Sequence, residues 1–226
     1  MAPLIIVNFK TYKEATGEKA VKLAKMCESA AHKLKSKARV AVAVQAADIF
    51  RVASAVDKKV IDVFAQHIDA NGQGKSTGFV TAEAVRDAGA TGTLINHAEH
   101  KITDIAKRIA TAKAAGLTVV ACAADIAEAK AIASLAPYPD YLAIEPPELI
   151  GGKVSVSEAK PELIASGVSE VKEANRNIHV LCGAGVNSGK DVQKALQLGT
   201  QGIILATAVV LAKDPESALL ELIRGI

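Results

Sequence analysis

The sequence contains no tryptophan and few aromatic residues of any kind. Aromatic side chains make up 3% of the 226 residues, whereas hydrophobic residues make up 50%. The core must therefore be built from valine, isoleucine, leucine and alanine, which suits buried parallel strands covered by alanine-rich helices. No Ser/Gly-rich linker divides the chain, and α/β barrels of roughly 200–250 residues form single domains. We therefore expect residues 1–226 to form one domain.

Cysteine is also scarce. Cys27, Cys122 and Cys182 are odd in number and far apart, which argues against a disulfide framework and against a zinc site. The sequence shows no signal-peptide pattern, and no apolar run approaches the ~20 residues that span a bilayer. These features predict a cytoplasmic protein without a membrane partner.

Charge of one sign is not concentrated anywhere. The 27 Lys and Arg residues are interspersed with 24 Asp and Glu residues, and the net charge is +3. Nucleic-acid-binding proteins usually carry a clustered stripe of basic residues beside aromatic ones. The sequence therefore predicts no nucleic-acid partner, and it remains compatible with a small anionic substrate.

Short apolar runs rich in β-branched residues alternate with longer amphipathic segments along the whole chain. The runs recur about every 28 residues, which is the size of one βα unit in an eight-fold barrel. This spacing predicts a (β/α)8 barrel, with a doubly wound open sheet as the alternative, because alternation alone does not distinguish closed from open parallel sheets. The predicted strands are Leu4–Val7, Val40–Val44, Val60–Ala65, Thr93–Ile95, Leu117–Cys122, Tyr141–Ile144, Ile178–Cys182 and Gly202–Leu205.

The segments between these runs have helical periodicity and helix-end signals. Gly116 is a plausible helix stop, Ser188 and Asp191 have the spacing of a capping box, and Asp214 before Pro215 is a favourable helix start. Two sets of apolar residues have helical spacing, and each set is predicted to share one face of a helix. The first set is Ala20, Leu23, Ala24, Cys27 and Ala31, and the second is Ile102, Ile105, Ala106 and Ile109.

Polar residues and glycines follow the predicted strands, and in a parallel barrel the carboxyl ends of the strands form the active-site rim. Glu145 could act as a general base, His97 as a proton donor or electrophile, and Lys10 as a fixed positive charge. Each of these residues has a structural explanation when taken alone, but their joint position favours proton transfer next to a carbonyl. The rim residues are Asn8, Lys10, Gln45, Asn96, His97, Glu99, Glu145, Gly183, Gly185 and Thr207.

Five stretches in order along the chain resemble the triosephosphate isomerase family in its short, archaeal-type form. The stretches are 8–12, 65–69, 96–99, 143–151 and 182–185, with sequences NFKTY, AQHID, NHAE, AIEPPELIG and CGAG. The resemblance implies a (β/α)8 barrel that interconverts dihydroxyacetone phosphate and D-glyceraldehyde 3-phosphate in glycolysis and gluconeogenesis. It implies neither a metal nor an organic cofactor.

The resemblance also implies roles for individual residues. Glu145 matches the catalytic base, His97 the neutral electrophile, and Lys10, with Asn8 beside it, the cation that stabilises substrate and enediolate. Glu99 matches an acidic residue that holds this cluster in place. Residues 146–153 match a mobile lid with Ile150 at its contact. The residues matching the phosphate-binding backbone are Gly151, Gly185, Ala206 and Thr207.

The family assembles as dimers or tetramers through the loop after the third strand, so the resemblance implies a homo-oligomer. Thr77 matches the residue that touches the catalytic lysine of the neighbouring subunit. Several departures from the family pattern cluster around the rim, among them Ala98 in place of a serine, Lys153 at the far end of the lid and Ala206-Thr207-Ala208 in place of a glycine-containing turn. They leave open a second hypothesis, a catalytically impaired barrel that binds a phosphate ligand or serves assembly.

Overall fold

Eight parallel strands close into a barrel in chain order in the computed structural model, which describes residues 2–34, 37–146, 160–224 and 226. The last strand pairs with the first, so the sheet has no free edge and the open-sheet alternative is wrong. The strands are β1 Leu4–Asn8, β2 Arg39–Val44, β3 Ile61–Ala65, β4 Gly92–Ile95, β5 Thr118–Ala123, β6 Tyr141–Ile144, β7 His179–Cys182 and β8 Gly202–Leu205.

Helices cover the outside of the barrel between the strands. Single 3-10 turns at Lys13–Ala15 and Ala46–Asp48 precede the first two helices. The helices in the described part of the chain are α1 Glu18–Lys33, α2 Ile49–Ala55, α3 Ala82–Asp87, α4 Ile105–Ala114, α5 Ile126–Ala133, α6 Pro161–Ala174, α7 Gly189–Gln197, α8 Thr207–Val210 and α9 Pro215–Ile223. Over these same residues, no helix has both the length and the apolar character needed to cross a membrane.

The predicted helix-end signals are confirmed. Ser188 and Asp191 form a complete capping box at α7, and the Asp214 side chain accepts a hydrogen bond from the Ser217 N–H at α9. Gly116 adopts φ 73° two residues after the end of α4, a conformation that strains residues other than glycine. The prediction for Ile102 and Ala106 was wrong, because Ile102 precedes α4 and Ala106 is exposed.

Alternating strand residues divide the core into two layers. Leu4 and Ile6 of β1 point into the barrel, whereas Ile5 and Val7 pack against the helices outside it. The interior is filled mainly by aliphatic side chains, together with the rings of Phe64 and Tyr141. The Phe64 ring packs against Gly92, where a Cβ atom would come within 2.7 Å of the ring. Glycine at position 92 therefore leaves room for the ring. The barrel interior is therefore filled, and the polar residues Asn8, Asn96 and Glu145 lie at or just beyond the carboxyl ends of their strands.

Candidate active site

A polar cavity opens at the carboxyl ends of the barrel strands. It combines an ammonium, an imidazole and a carboxylate with backbone from the last two strand–helix loops. The described residues that line it are Asn8, Lys10, His97, Glu145, Gly183, Gly185, Val186, Asn187, Ile204, Leu205, Ala206 and Thr207. Of the rim residues named from the sequence, Gln45, Asn96 and Glu99 are not among them. The Gln45 side-chain amide donates to the Thr16 hydroxyl at 3.0 Å instead.

Lys10 enters the cavity from an unusual backbone conformation. Its φ of 47° lies in the left-handed region, which costs a residue other than glycine roughly 1–2 kcal/mol. Two side chains hold this conformation in place. Asn8 Oδ1 accepts a hydrogen bond from the Lys10 N–H at 3.0 Å, and the Gln66 amide donates to the Lys10 carbonyl at 2.9 Å and to the Ala43 carbonyl at 3.1 Å.

Glu99 pairs with the lysine from the loop after β4. Its Oε1 lies 2.5 Å from Lys10 Nζ, and the Glu99 side chain is 55% exposed whereas that of Lys10 is 14% exposed. The carboxylate therefore holds the ammonium at the cavity wall from its solvent side.

The hydrogen bonds of His97 determine which of its ring nitrogens carries the proton. Nδ1 accepts a hydrogen bond from the backbone N–H of Glu99 at 3.2 Å, so a neutral ring carries its hydrogen on Nε2. Burial lowers the pKa of His97, and the charges of Lys10 and Lys101 lower it further against the opposing effect of Glu99. The imidazole is therefore neutral near pH 7, with an Nε2–H donor on the cavity side.

Glu145 lies opposite this donor and is buried. Its Oε2 is 3.8 Å from His97 Nε2, and it has no hydrogen-bond partner among the residues that the structure describes. Burial raises the pKa of Glu145 to about 7, although a hydrogen bond from the Cys122 thiol and the charge of Lys10 lower it. A carboxylate with a pKa near neutrality and a free oxygen facing the cavity is well suited to accept and return a proton.

The other side of the cavity is built mainly from backbone. Gly185 has φ 67°, and Thr207 begins α8, whose first N–H groups have no partner within the helix. Ala206 has φ −137°, so the alanine and threonine of this turn do not require the left-handed backbone that a glycine would tolerate better. Ile150, Gly151 and most of the expected lid lie outside the described residues.

Three residues near the site were not assigned a role from the sequence. Gln66 supports the Lys10 backbone, the Cys122 thiol contacts Glu145, and Asn96 holds φ 62° directly before His97. Gln66 and Asn96 lie in the stretches that carried the resemblance, but their partners are far away along the chain. Only the asparagine gave a local signal, since asparagine tolerates the left-handed region better than other residues do.

These features define a (β/α)8 barrel of the enzyme type, with a carboxylate, a neutral imidazole and an ammonium around one cavity that can bind a small anion. Comparison with known sequences gives the family. A sequence model described as triosephosphate isomerase matches residues 3–226, and the chain belongs to this family.

The relatives cover nearly the whole chain. The chain is 44% identical over 225 residues to the triosephosphate isomerase of Methanosarcina mazei, covering 99% of this chain and 98% of that protein. It is 46% identical over 223 residues to that of Methanothermus fervidus, covering 98% and 97%. Among solved structures, the triosephosphate isomerase of Bartonella henselae superposes with a TM-score of 0.73 at 18% identity, covering 99% of this chain and all of the other. This last likeness shows the fold alone.

Proposed function

We propose that Glu145, His97 and Lys10 carry out the triosephosphate isomerase reaction in this chain. The chain is an aldose–ketose isomerase that interconverts dihydroxyacetone phosphate and D-glyceraldehyde 3-phosphate. The observation that supports these three roles best is the facing pair formed by the Glu145 carboxylate and the neutral His97 ring, 3.8 Å apart across the cavity.

Proton transfer in this arrangement begins at Glu145. Its carboxylate removes a proton from C1 of dihydroxyacetone phosphate, and the C–H electron pair moves into the C1–C2 bond to form an enediolate. The Nε2–H of His97 polarises the C2 oxygen and lowers the energy of the charge that develops there. The hydroxyl proton on the C1 oxygen passes by way of His97 Nε2 to the C2 oxygen. The protonated Glu145 then returns its proton to C2, so that C1 becomes the aldehyde and C2 carries the hydroxyl.

Lys10 supplies positive charge throughout the cycle. Its ammonium is held by Glu99, so it is preorganised for the negative charge of the enediolate. Asn8 contributes to the same side by fixing the Lys10 backbone and by lining the cavity.

Backbone N–H groups of Gly185, Ala206 and Thr207 are proposed to bind the substrate phosphate. They lie at a turn and at a helix start, where backbone N–H groups point towards anions. Gly151 is proposed to complete this binding site, with Ile150 at the lid contact, and both remain sequence-based assignments.

The proposal includes a homo-oligomer, dimer or tetramer, of single-domain subunits in the cytoplasm, acting in glycolysis and gluconeogenesis. A second opening beside the cavity, lined by Lys10, Gln66, His67, Glu99 and His100 among others, supports the oligomer. It adjoins the catalytic lysine, so a loop from a neighbouring subunit could fill it. The exposed loop after β3, with Thr77 near its tip, is the segment proposed to do so.

The test is a coupled assay of glyceraldehyde 3-phosphate isomerisation with the wild type and Glu145→Gln. The glutamine keeps the shape of the side chain but cannot accept the proton, so turnover should collapse in the variant. Folded wild type with no more turnover than the variant would refute the proposal and favour a barrel that binds phosphate ligands without isomerising them. Binding of inorganic phosphate, measured in parallel, separates that outcome from a site that binds nothing.

A further inference from the structure

A hydrogen-bonded bridge ties the loop that carries His97 to the loop after β5. Asn96, directly before His97, has φ 62° and uses both ends of its side-chain amide. Its Nδ2 donates to the Cys122 carbonyl at 2.9 Å and to Glu128 Oε1 at 2.8 Å. Its Oδ1 accepts from the Ile102 N–H at 3.2 Å, which closes the loop on itself.

Glu128 is the centre of this bridge. From the first turn of α5 its Oε1 receives the Asn96 amide, and its Oε2 accepts the Ala124 N–H at 2.7 Å. Lys101 Nζ bonds both carboxylate oxygens, at 2.6 and 2.8 Å. One carboxylate therefore joins two residues of the loop after β4 to the loop after β5. Its side chain is only 26% exposed, which strengthens such contacts relative to a surface pair.

The bridge lies behind both members of the facing pair. Asn96 is covalently next to His97, while Cys122, whose carbonyl Asn96 binds, has the thiol that contacts Glu145. A shift of Asn96 would therefore move the imidazole relative to the carboxylate. Neither Asn96 nor Glu128 is among the cavity-lining residues.

We propose that Glu128, acting through Asn96 and Lys101, is a positioning residue that sets the placement of His97 relative to Glu145. This inference rests on the proposed function of the same site. Asn96 holds a left-handed backbone, and such conformations persist where surrounding contacts over-determine them. Without Glu128, the loop would keep the Cys122 and Ile102 contacts but lose its connection to α5.

Glu128 also balances the charge of Lys101. That ammonium lowers the pKa of both His97 and Glu145, along with Lys10, while Glu99 opposes it at both groups. Cys122 is the other group facing Glu145, and it too lowers that pKa. Removing the Glu128 charge should leave Lys101 unbalanced and lower both values further. The pH profile therefore reports on this bridge independently of protein stability.

The experiment compares Glu128→Ala, Glu128→Gln and Lys101→Met with the wild type. Glu128→Ala should lower kcat by about 10- to 100-fold with little change in KM, because small misplacement of a catalytic group acts on the chemical step. Glu128→Gln keeps an oxygen that can accept from Asn96, so it should recover most of this loss. Lys101→Met, which removes the opposing charge, should shift the acid side of the pH profile upward and Glu128→Gln should shift it downward.

The control is Glu170→Gln, which breaks a comparable carboxylate–lysine pair with Lys130 at 2.7 Å, remote from the cavity. It should leave kcat and the pH profile unchanged. The second readout is the ring-nitrogen NMR signals of His97 in the ligand-free protein, which should move in Glu128→Ala but not in Glu170→Gln.

The outcomes separate this inference from the function on which it rests. If the wild type is inactive while the His97 signals still move in Glu128→Ala, the isomerase proposal fails and the positioning of His97 by Glu128 stands. If folded Glu128→Ala keeps kcat within about twofold and its His97 signals do not move, the inference is overturned. Should Glu128→Ala not fold, unchanged kcat and unchanged pH profiles in both Glu128→Gln and Lys101→Met would overturn it equally.

Discussion

The side chain of Glu145 occupies the space that a side chain on Gly183 would need. A Cβ atom on Gly183 would come within 2.2 Å of Glu145 Cγ and 2.9 Å of Oε1. Gly183 lies in the loop after β7, and its φ is not in the left-handed region, so the glycine is required for space and not for backbone conformation. The position of the Glu145 carboxylate therefore depends on the absence of a side chain at Gly183.

Replacing Gly183 with alanine should therefore displace the base. We expect Gly183→Ala to lower kcat/KM by about 100-fold, since a displacement near 1 Å of a reacting group is sufficient for such a loss. The measurement is steady-state kinetics together with a thermal melt. Glu170→Gln, which is remote from the cavity, is the control, and its kcat/KM should be unchanged. Normal kcat/KM in folded Gly183→Ala would contradict this account of the carboxylate position.

The pH dependence of activity should follow the ionisation of Glu145. The base must be deprotonated to act, and burial raises its pKa to about 7, so kcat/KM should fall as the pH drops through about 7. Cys122→Ala removes a thiol hydrogen bond that lowers this pKa, so the midpoint should move to higher pH. Profiles between pH 5 and 9 test both statements. A midpoint that stays in place or moves down in the variant would show that the thiol does not act on the carboxylate.

The same raised pKa should make stability depend on pH. The folded-state pKa of Glu145 is above its ordinary value of 4.5, so the folded protein binds the proton more tightly than the unfolded chain. The resulting stabilisation is fully present below pH 4.5 and is lost as the pH rises through about 7, a difference of about 3 kcal/mol.

Glu145→Gln removes this titration and so reveals its size. Relative to the wild type, the variant should be more stable at pH 8 than it is at pH 5. Urea unfolding of both proteins at the two pH values gives the difference in the free energy of unfolding. Equal differences at both pH values would mean that Glu145 does not titrate between them.

The sequence predicted the fold because each strand is a local pattern. All eight predicted strands agree with the structure to within one residue at either end, and Gly116 and Ser188 mark helix ends through interactions that span at most a few residues. The prediction that Ile102 belongs to a helix was wrong because it relied on the local apolar spacing alone. Ile102 continues the apolar spacing of α4, but its N–H is bound by Asn96, and the helix begins only at Ile105.

The rim of the candidate site was predictable because strand ends in a parallel barrel point to one face. The residues that hold the rim in place could not be predicted, since they act through contacts between distant segments. Gln66 reaches the Lys10 carbonyl across 56 positions, and Asn96 reaches Glu128 across 32. Nothing in the local sequence around Glu128 distinguishes it from an ordinary carboxylate in the first turn of a surface helix. The space between Glu145 and Gly183 likewise exists only in the folded barrel.

The loop after β3 offers a test of the proposed oligomer. The two ends of the loop are joined by Asp69, whose N–H donates to the Val80 carbonyl at 2.7 Å and whose carboxylate accepts the Val80 N–H at 2.8 Å. Arg108 stabilises the same end of the loop, because it donates to the Ile68 carbonyl and to the Asp69 carboxylate. The loop tip can therefore be shortened without removing these contacts.

Deleting residues 74–77 should weaken association and lower activity together, because the loop is expected to complete the opening beside Lys10 in a neighbouring subunit. Light scattering after size-exclusion chromatography gives the mass, and the coupled assay gives kcat/KM on the same fractions. Thr77→Ser keeps the hydroxyl and the loop length, so it should behave as the wild type. A monomer with full activity, obtained from the deletion at several protein concentrations, would show that this loop does not serve the site of another subunit.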